Sequence, residues 1–516
     1  MVSRLPLVLA SSLSLVACAS QTPYTRPLTE LPSSYRNTAV AAAQRAVDGT
    51  DERWWTAFDD PVLDGLVEAA LAGSLDVEAA RARLQQAAAG SRIARSALLP
   101  SATIGGSAAV QRQSLEDPAA RIASAFPGYE RTSELYGLNA AVSWEIDLFG
   151  RLAAARLAAG ADEAAAAAGV AGARLTVAAE VATAYIGARE LQRRIEIARE
   201  RTRTLGELDR LVRLRVREGA AAQLEAEQVE ADLAATRARI PALEAALEAT
   251  FNRIDVLAGR APGRAEAELG EGRLPSAAPV AVADGPAGLL RRRPDIMTAE
   301  RRVAAADART AQAIADYYPR VNIGGLVGLL STGASGLFAG EALQAAGSGG
   351  FSGRLFDFGA ARGGVEGSRG RTREAVADYR ATVLRAVAEV EDGLSMLGRR
   401  SRQAQELRAS EAALARARDL SRLAYQGGAV SLIEALDAER RLLEVQDAAT
   451  TARADAARAT VALSRALGGG WQASDPVAVT RGPARKGPAT AAGVHPDQVM
   501  VGRSTYAGHG SKDRTS

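Results

Sequence analysis

Leu135-Tyr136-Gly137-Leu138-Asn139-Ala140-Ala141-Val142-Ser143-Trp144-Glu145-Ile146-Asp147-Leu148-Phe149-Gly150 is the stretch that decides the fold. In an extended chain Tyr136, Leu138, Ala140, Val142, Trp144, Ile146 and Leu148 share one face, while Gly137, Asn139, Ala141, Ser143, Glu145 and Asp147 share the other. The run is longer than a typical globular strand. An apolar face backed by a partly charged one suits a membrane-spanning barrel with a wet lumen. It also suits a soluble antiparallel sheet with one solvated face, so the flanking sequence has to separate the two.

On the C-terminal side the period becomes helical. Leu152 to about Arg217 has no Pro, only scattered Gly, and dense Ala, Arg, Glu and Leu; roughly 60 helical residues make a rod about 90–100 Å long. Gly219 interrupts it, and a second helical stretch from about Gln223 to Leu257 carries Pro241, where a kink or a division into two stacked helices is expected. On the N-terminal side Pro100 closes a helix from about Val77 to Leu99, with Ala80, Leu84, Ala87, Ile93 and Ala97 as candidate buried positions, and Thr103 to Val110 forms a short strand. Further back, Asp60-Pro61 is an N-cap and first-turn pair. Adjacent Trp54 and Trp55 are expected to clamp an extended leader against the helical body.

The same unit then returns. Arg292-Arg293-Pro294-Asp295 leads a helix carrying Ile296, Ala299, Val303, Ala306 and Ile314, and Tyr317-Tyr318-Pro319 ends it. Val321 to Leu329 alternates, a Gly/Ser/Ala loop covers about 331–350, and Phe351 to Phe358 is expected as the returning strand. Helix resumes after Gly359, breaks at Gly427-Gly428, and runs from about Ser431 to Leu467 before Gly468-Gly469-Gly470 stops it. Phe149, Gly150, Gly219 and Glu225 match Phe358, Gly359, Gly428 and Glu434 at one offset, 358 − 149 = 209. The chain is therefore an internally duplicated β-plus-long-helix unit. Its expected divisions are a signal peptide at 1–17, a lipid-anchored tether at 18–50, a first repeat at 51–260, a linker at 261–290, a second repeat at 291–470, and a disordered tail at 471–516.

Composition excludes several classes of function. With 63 basic and 60 acidic residues the net charge is +3, nearly all the cations are Arg, and no basic patch invites nucleic acid. His495 and His509, both in the tail, and the single Cys18 cannot assemble a His/Cys metal site. There is no Gly-x-Ser-x-Gly elbow and no Gly-rich phosphate loop, so neither an enzyme nor a cofactor is expected. Cys18 ends a segment with Arg4 at its start and an apolar run from Leu5 to Val16, too short to span a bilayer. Leu15-Val16-Ala17-Cys18 resembles a bacterial lipobox, and Ala19 in place of an inner-membrane retention aspartate fits an outer-membrane-sorted lipoprotein.

Two hairpins supply four strands, too few to close a barrel, and an open edge is not tolerated in lipid because every backbone polar group must be paired. Three copies would supply twelve strands and closure. The Ala-rich helices, as at Ala164 to Ala168, want neighbours along their length; a coiled-coil scaffold without a bore would show cleaner heptads and no amphipathic strand pairs.

At this point the chain resembles the TolC-like outer membrane factors, in particular the OprM/NodT-like lipoprotein branch. The resemblance covers essentially 18–470. It rests on Cys18, on Trp55-x-x-Phe58-Asp59-Asp60-Pro61-x-Leu63, on Trp144 to Gly150, on Arg292-Arg293-Pro294-Asp295, and on Tyr425-x-x-Gly428-x-x-Ser431-x-x-Glu434-Ala435-Leu436-Asp437-Ala438-Glu439-Arg440. It implies a homotrimer whose twelve strands form one outer-membrane barrel, continued by a periplasmic α-helical tunnel with an equatorial belt. Substrate would pass unchanged, driven by an inner-membrane resistance-nodulation-division pump through a periplasmic adaptor; ATP-driven polypeptide secretion is the alternative. Gly219 and Gly428 would be the periplasmic hairpin tips, with Tyr425, Glu434 and Asp437 at the gate and Glu145 and Asp147 facing the lumen or the barrel–tunnel junction. The family's gate arginine falls on Val430, so by the resemblance that ion link is either missing or supplied elsewhere, with Arg440 and Arg217 as the candidates.

Overall fold

The computed structural model describes residues 24–37, 47–48, 52–276, 280–282 and 285–470. The expected signal peptide, lipidation at Cys18 and the tail at 471–516 lie outside the described residues. Repeat one contains α1 (Pro61–Gly73), α2 (Leu75–Ser96), β1 (Ser101–Arg112), β2 (Thr132–Ile146), α3 (Arg151–Arg217) and α4 (Gln223–Leu257). Repeat two contains α5 (Pro294–Ala315), β3 (Arg320–Ser331), β4 (Leu343–Ser352), α6 (Ala360–Gln426) and α7 (Leu432–Ala466).

The duplication holds residue by residue in the helices. Helices α3 and α6 each have 67 residues, α4 and α7 each have 35, and both pairs start 209 apart (360 − 151 and 432 − 223). Helices α2 and α5 each have 22 residues and start 294 − 75 = 219 apart. Most of the ten-residue difference in offset falls in the strand connections, 113–131 in repeat one (19 residues) and 332–342 in repeat two (11 residues).

The long helices stop for one backbone reason. Gly219 turns left-handed at φ +72°; its N–H bonds to the Val216 carbonyl at 3.0 Å, and that of Ala220 to Arg215 at 2.7 Å. Gly428 does the same at φ +73°, bonding Tyr425 at 3.0 Å while Ala429 bonds Ala424 at 2.8 Å. This paired closure satisfies carbonyls that a helix end would otherwise orphan. Helix α4, in contrast, runs through Pro241 without dividing. Pro241 is exposed, so the carbonyl it leaves unpaired faces water.

The four strands form one antiparallel sheet in the order β1-β2-β3-β4. Registers such as Ile104↔Ala140, Trp144↔Ile323, Val327↔Ala345 and Val321↔Phe351 put most of the large apolar residues of the four strands on one face, with Leu135, Leu326 and Leu330 on the other. Registers such as Thr103↔Ala141, Ser143↔Gly324 and Asn322↔Gly350 put small and neutral polar residues on the other. The returning strand is Leu343–Ser352, not Phe351 to Phe358. Pairing decides this: β4 must run beside β3, and β3 begins at Arg320, opposite Ser352.

Around the hairpins, residues 24–37 lie against repeat two, where Tyr24, Leu31 and Tyr35 pack with Tyr379, Ile296 and Leu463. Glu391 accepts the Arg36 N–H at 2.7 Å and the Asn37 amide at 3.1 Å. Trp54 and Trp55 are buried edge-to-face, with centroids 5.8 Å apart, among residues of α1, α3 and α4. In α2, Ala80 and Leu84 are buried, but the expected core positions Ile93 and Ala97 are exposed. Among the described residues nothing covers the surface that these two occupy at the C-terminal end of α2.

Candidate functional site

The polar face of the sheet carries Glu145 and Arg320 as its charged residues, both at the helix-proximal end. Glu145 is gripped by the fork of Arg151, with contacts of 2.8–3.0 Å, at the first residue of α3. Asp147 accepts the N–H groups of Leu152 and Ala153 at 3.1 and 2.7 Å, capping the same helix from beyond Gly150. Both carboxylates therefore fix the strand-to-helix joint. Arg320 pairs with Asp316 at 3.0 Å.

At the far end of the hairpins Gly219 and Gly428 form the two turns. Leu208 and Val212 of α3 and Ala226 and Val229 of α4 form a small apolar cluster there, against which Tyr425 of α6 and Leu436 of α7 pack. Tyr425 thus crosses from the second hairpin onto the first. Glu434 folds back into a capping box: its carboxylate accepts the Ser431 N–H at 2.7 Å and the Ser431 hydroxyl at 2.9 Å. These two donors hold its carboxyl below the usual carboxylate range. Asp437 binds Arg440 at 2.8 Å and Arg441 at 2.6 Å, and Arg440 first, then Arg441, holds its carboxyl low as well. Val430 precedes the cap, and the ion pairs of Asp437 with Arg440 and Arg441 lie within its own helix. Because both values are lowered in the folded chain, the stability these contacts contribute is present above the ordinary carboxylate values and is lost as pH falls through the lowered ones.

Two features were not legible in the sequence. One is a ladder of alternating charge that joins the hairpins: Asp447 to Arg194 at 2.8 Å, Arg194 to Glu190 at 3.7 Å, Glu190 to Arg458, Arg458 to Asp455 at 3.0 Å, and Asp455 to Arg400 at 3.5 Å. The other is a pair of buried arginine ties. Arg189 donates to the Leu269 and Gly270 carbonyls at 2.9 Å, and to the Tyr185 hydroxyl, which itself donates to Asp60 at 2.5 Å. Burial first, then that Asp60 bond, pushes the Tyr185 hydroxyl up to about 12. Arg293 donates to the Ala466 carbonyl at 3.0 Å and forks onto Asp295 at 3.0 and 2.7 Å. Ala/Arg/Glu-rich helices offer many equivalent candidates for such pairs, and only the packing selects among them.

Among the described residues no cluster of His, Cys, Asp and Glu could hold a metal ion. Among the described residues the amphipathic sheet has two unpaired edges and is continued by two long helical hairpins.

Comparison with known proteins agrees with that geometry. A family profile described as "Outer membrane efflux protein" matches residues 66–260 and 286–469, one stretch in each repeat. The pyoverdine export outer membrane protein OpmQ of Pseudomonas putida is 32% identical over 477 residues, covering 91% of this chain and 98% of the relative. The toluene efflux pump outer membrane protein TtgF of Pseudomonas putida is 28% identical over 476 residues, covering 90% and 96%. Among solved structures, the outer-membrane channel OprN superposes with a TM-score of 0.79 at 32% identity, covering 88% of this chain and all of that one.

Proposed function

Because this chain belongs to the outer membrane efflux protein family, whose TolC-like members are non-catalytic outer-membrane channels with long periplasmic helices, we propose that it is the exit duct of a tripartite efflux pump. Three copies supply twelve strands that close one barrel, and their hairpins surround a periplasmic tunnel. An inner-membrane resistance-nodulation-division pump drives small molecules into the tunnel through a periplasmic adaptor docked near the Gly219 and Gly428 turns, and Cys18 carries the lipid anchor. The observation that carries this reading is the sheet: one face is mainly apolar along the four strands as far as Arg112 and Glu134 at the loop end, and among the described residues both β1 and β4 have an unpaired edge. In lipid that is permissible only if further strands complete the ring. The relatives named for pyoverdine export and toluene efflux support small-molecule cargo over polypeptide secretion.

The test is electrical. Detergent-purified protein reconstituted in a planar bilayer is expected to give discrete ion-conducting steps, and well-inserted trimers that pass no current would overturn the duct reading. Tyr425, Glu434 and Asp437 form the narrow end in this proposal. Asp437→Asn removes the counter-charge of Arg440 and Arg441, so the reversal potential across a KCl gradient is expected to move toward chloride preference. An unmoved potential would take Asp437 out of the ion path.

A further inference from the structure

We propose that the cleft between the two helical hairpins, near the Gly219 and Gly428 turns, binds a small organic cation, with Glu225 and Asp232 of α4 facing its charge and an apolar floor taking its body. The cleft lies within one chain, so the site does not depend on the duct reading above.

Three helices build the cleft. Its floor is Leu205, Leu208 and Val212 of α3, Val229 of α4, and Leu436 and Leu443 of α7. Leu208, Val212, Val229 and Leu443 are buried, so packing fixes that floor in place. The cavity has a volume of about 170 Å³. That is room for one aromatic ring, since an engineered apolar cavity of ~150 Å³ takes up benzene. On α4, Val229 lies four residues after Glu225 and three before Asp232, so the three share one helix face.

The duplication shows why these two carboxylates are available. At the repeat offset of 209, Glu225 is the counterpart of Glu434, and Asp232 is the counterpart of Arg441. Glu434 is drawn into a capping box by Ser431, but the counterpart of Ser431 is Ala222, and α4 begins without a side-chain cap. Glu225 therefore lacks the hydroxyl that holds its twin, and it lines the cleft. Asp437 is neutralised by Arg440 and Arg441, whereas the same two positions of α4 are Ala231 and Asp232. Two cations are lost there and one acid is gained. Among the described residues neither Glu225 nor Asp232 has a hydrogen-bonded or ion-paired partner for its side chain.

The charges around the cleft select the sign of the ligand. Four carboxylates, Glu225, Asp232, Asp437 and Glu439, stand against the guanidiniums of Arg201 and Arg440. Arg440 is engaged by Asp437 and Glu444, and Glu439 pairs with Arg418 at 3.5 Å, which leaves Glu225 and Asp232 against Arg201. The surplus is negative and favours a cation. The apolar floor favours one with a hydrocarbon body over a hydrated metal ion. Because the walls come from α3 and α4 of one repeat and α7 of the other, the bound cation stabilises the arrangement in which the two hairpins meet.

The probe is benzyltrimethylammonium, which has one ring and a permanent charge. Isothermal titration into the detergent-solubilised full chain is expected to give saturable binding at one site per chain. Benzyl alcohol, the uncharged control, should bind about tenfold more weakly or worse. Two variants carry repeat two's own chemistry into repeat one. Asp232→Arg reverses a charge in the cleft and should weaken binding about tenfold or more. Ala222→Ser supplies the hydroxyl that draws Glu225 into a cap; it should weaken binding several-fold while keeping or raising the melting temperature, so lost binding cannot be lost folding. Absence of saturable binding by the folded wild type, or an affinity unchanged in both variants, overturns the site. The bilayer measurement stands apart: a conducting protein that does not bind the probe overturns this site alone, and a binding protein that passes no current overturns the duct alone.

Discussion

Trp54→Ala is expected to destabilise the protein by about 3–5 kcal/mol, the range for emptying a fully buried large aromatic site. Trp54 is 1% exposed and meets three separate parts of the chain. It packs edge-to-face on Trp55, and a Cβ on Gly470, at the end of repeat two, would lie 3.4 Å from its indole nitrogen and 3.6 Å from the Leu175 side chain of α3. Neighbours drawn from both ends of the duplication cannot collapse into the space together. Thermal unfolding of the detergent-solubilised protein, followed by circular dichroism, measures the loss; Trp54→Phe should recover most of it. A variant within 1 kcal/mol of wild type would mean that the leader is not anchored to the helical body at this point.

Gly259→Ala should cost about 2–5 kcal/mol, while Gly219→Ala and Gly428→Ala should cost only about 1–2 kcal/mol. All three glycines close a helix at positive φ, at +68°, +72° and +73°, so the conformational strain on an L side chain is common to them. Their surroundings are not. A Cβ at Gly259 would lie 2.1 Å from the backbone carbonyl oxygen of Gly73, at the end of α1, and neither backbone can yield without separating α1 from α4. At Gly219 and Gly428 nothing lies within 4 Å. The same unfolding assay ranks the series, and Gly468→Ala, whose Cβ would lie 2.9 Å from the Arg292 carbonyl oxygen, belongs between the extremes. Equal losses at all four sites would show that backbone strain alone, and not close approach, sets the need for glycine.

These two cases divide what local sequence carries from what it does not. The breaks at Gly219 and Gly428 were readable because a left-handed residue ending a polar, Ala-rich helix is a local event, decided by the glycine and its four or five predecessors. The sheet faces were readable for the same reason, since alternation along one strand fixes which side each residue takes. The end of β4 was not, because a strand stops where its partner stops, and β3 begins at Arg320, which pairs with Ser352. The partners of Glu434 and Asp437 followed the same division. The Ser431 cap lies three residues from Glu434, within local reach, whereas the two arginines on Asp437 had to be chosen from a helix rich in arginine.

The sequence by itself determined the duplication, the helix lengths and turns, and the amphipathic strands, because each of these follows from periodicity and from backbone preferences over a few residues. Only the tertiary structure decided which faces are covered: Ile93 and Ala97 have helical spacing like that of Ala80 and Leu84, yet they lie exposed. Burial depends on which element arrives from far along the chain, and an apolar residue on a helix does not encode which neighbour will reach it.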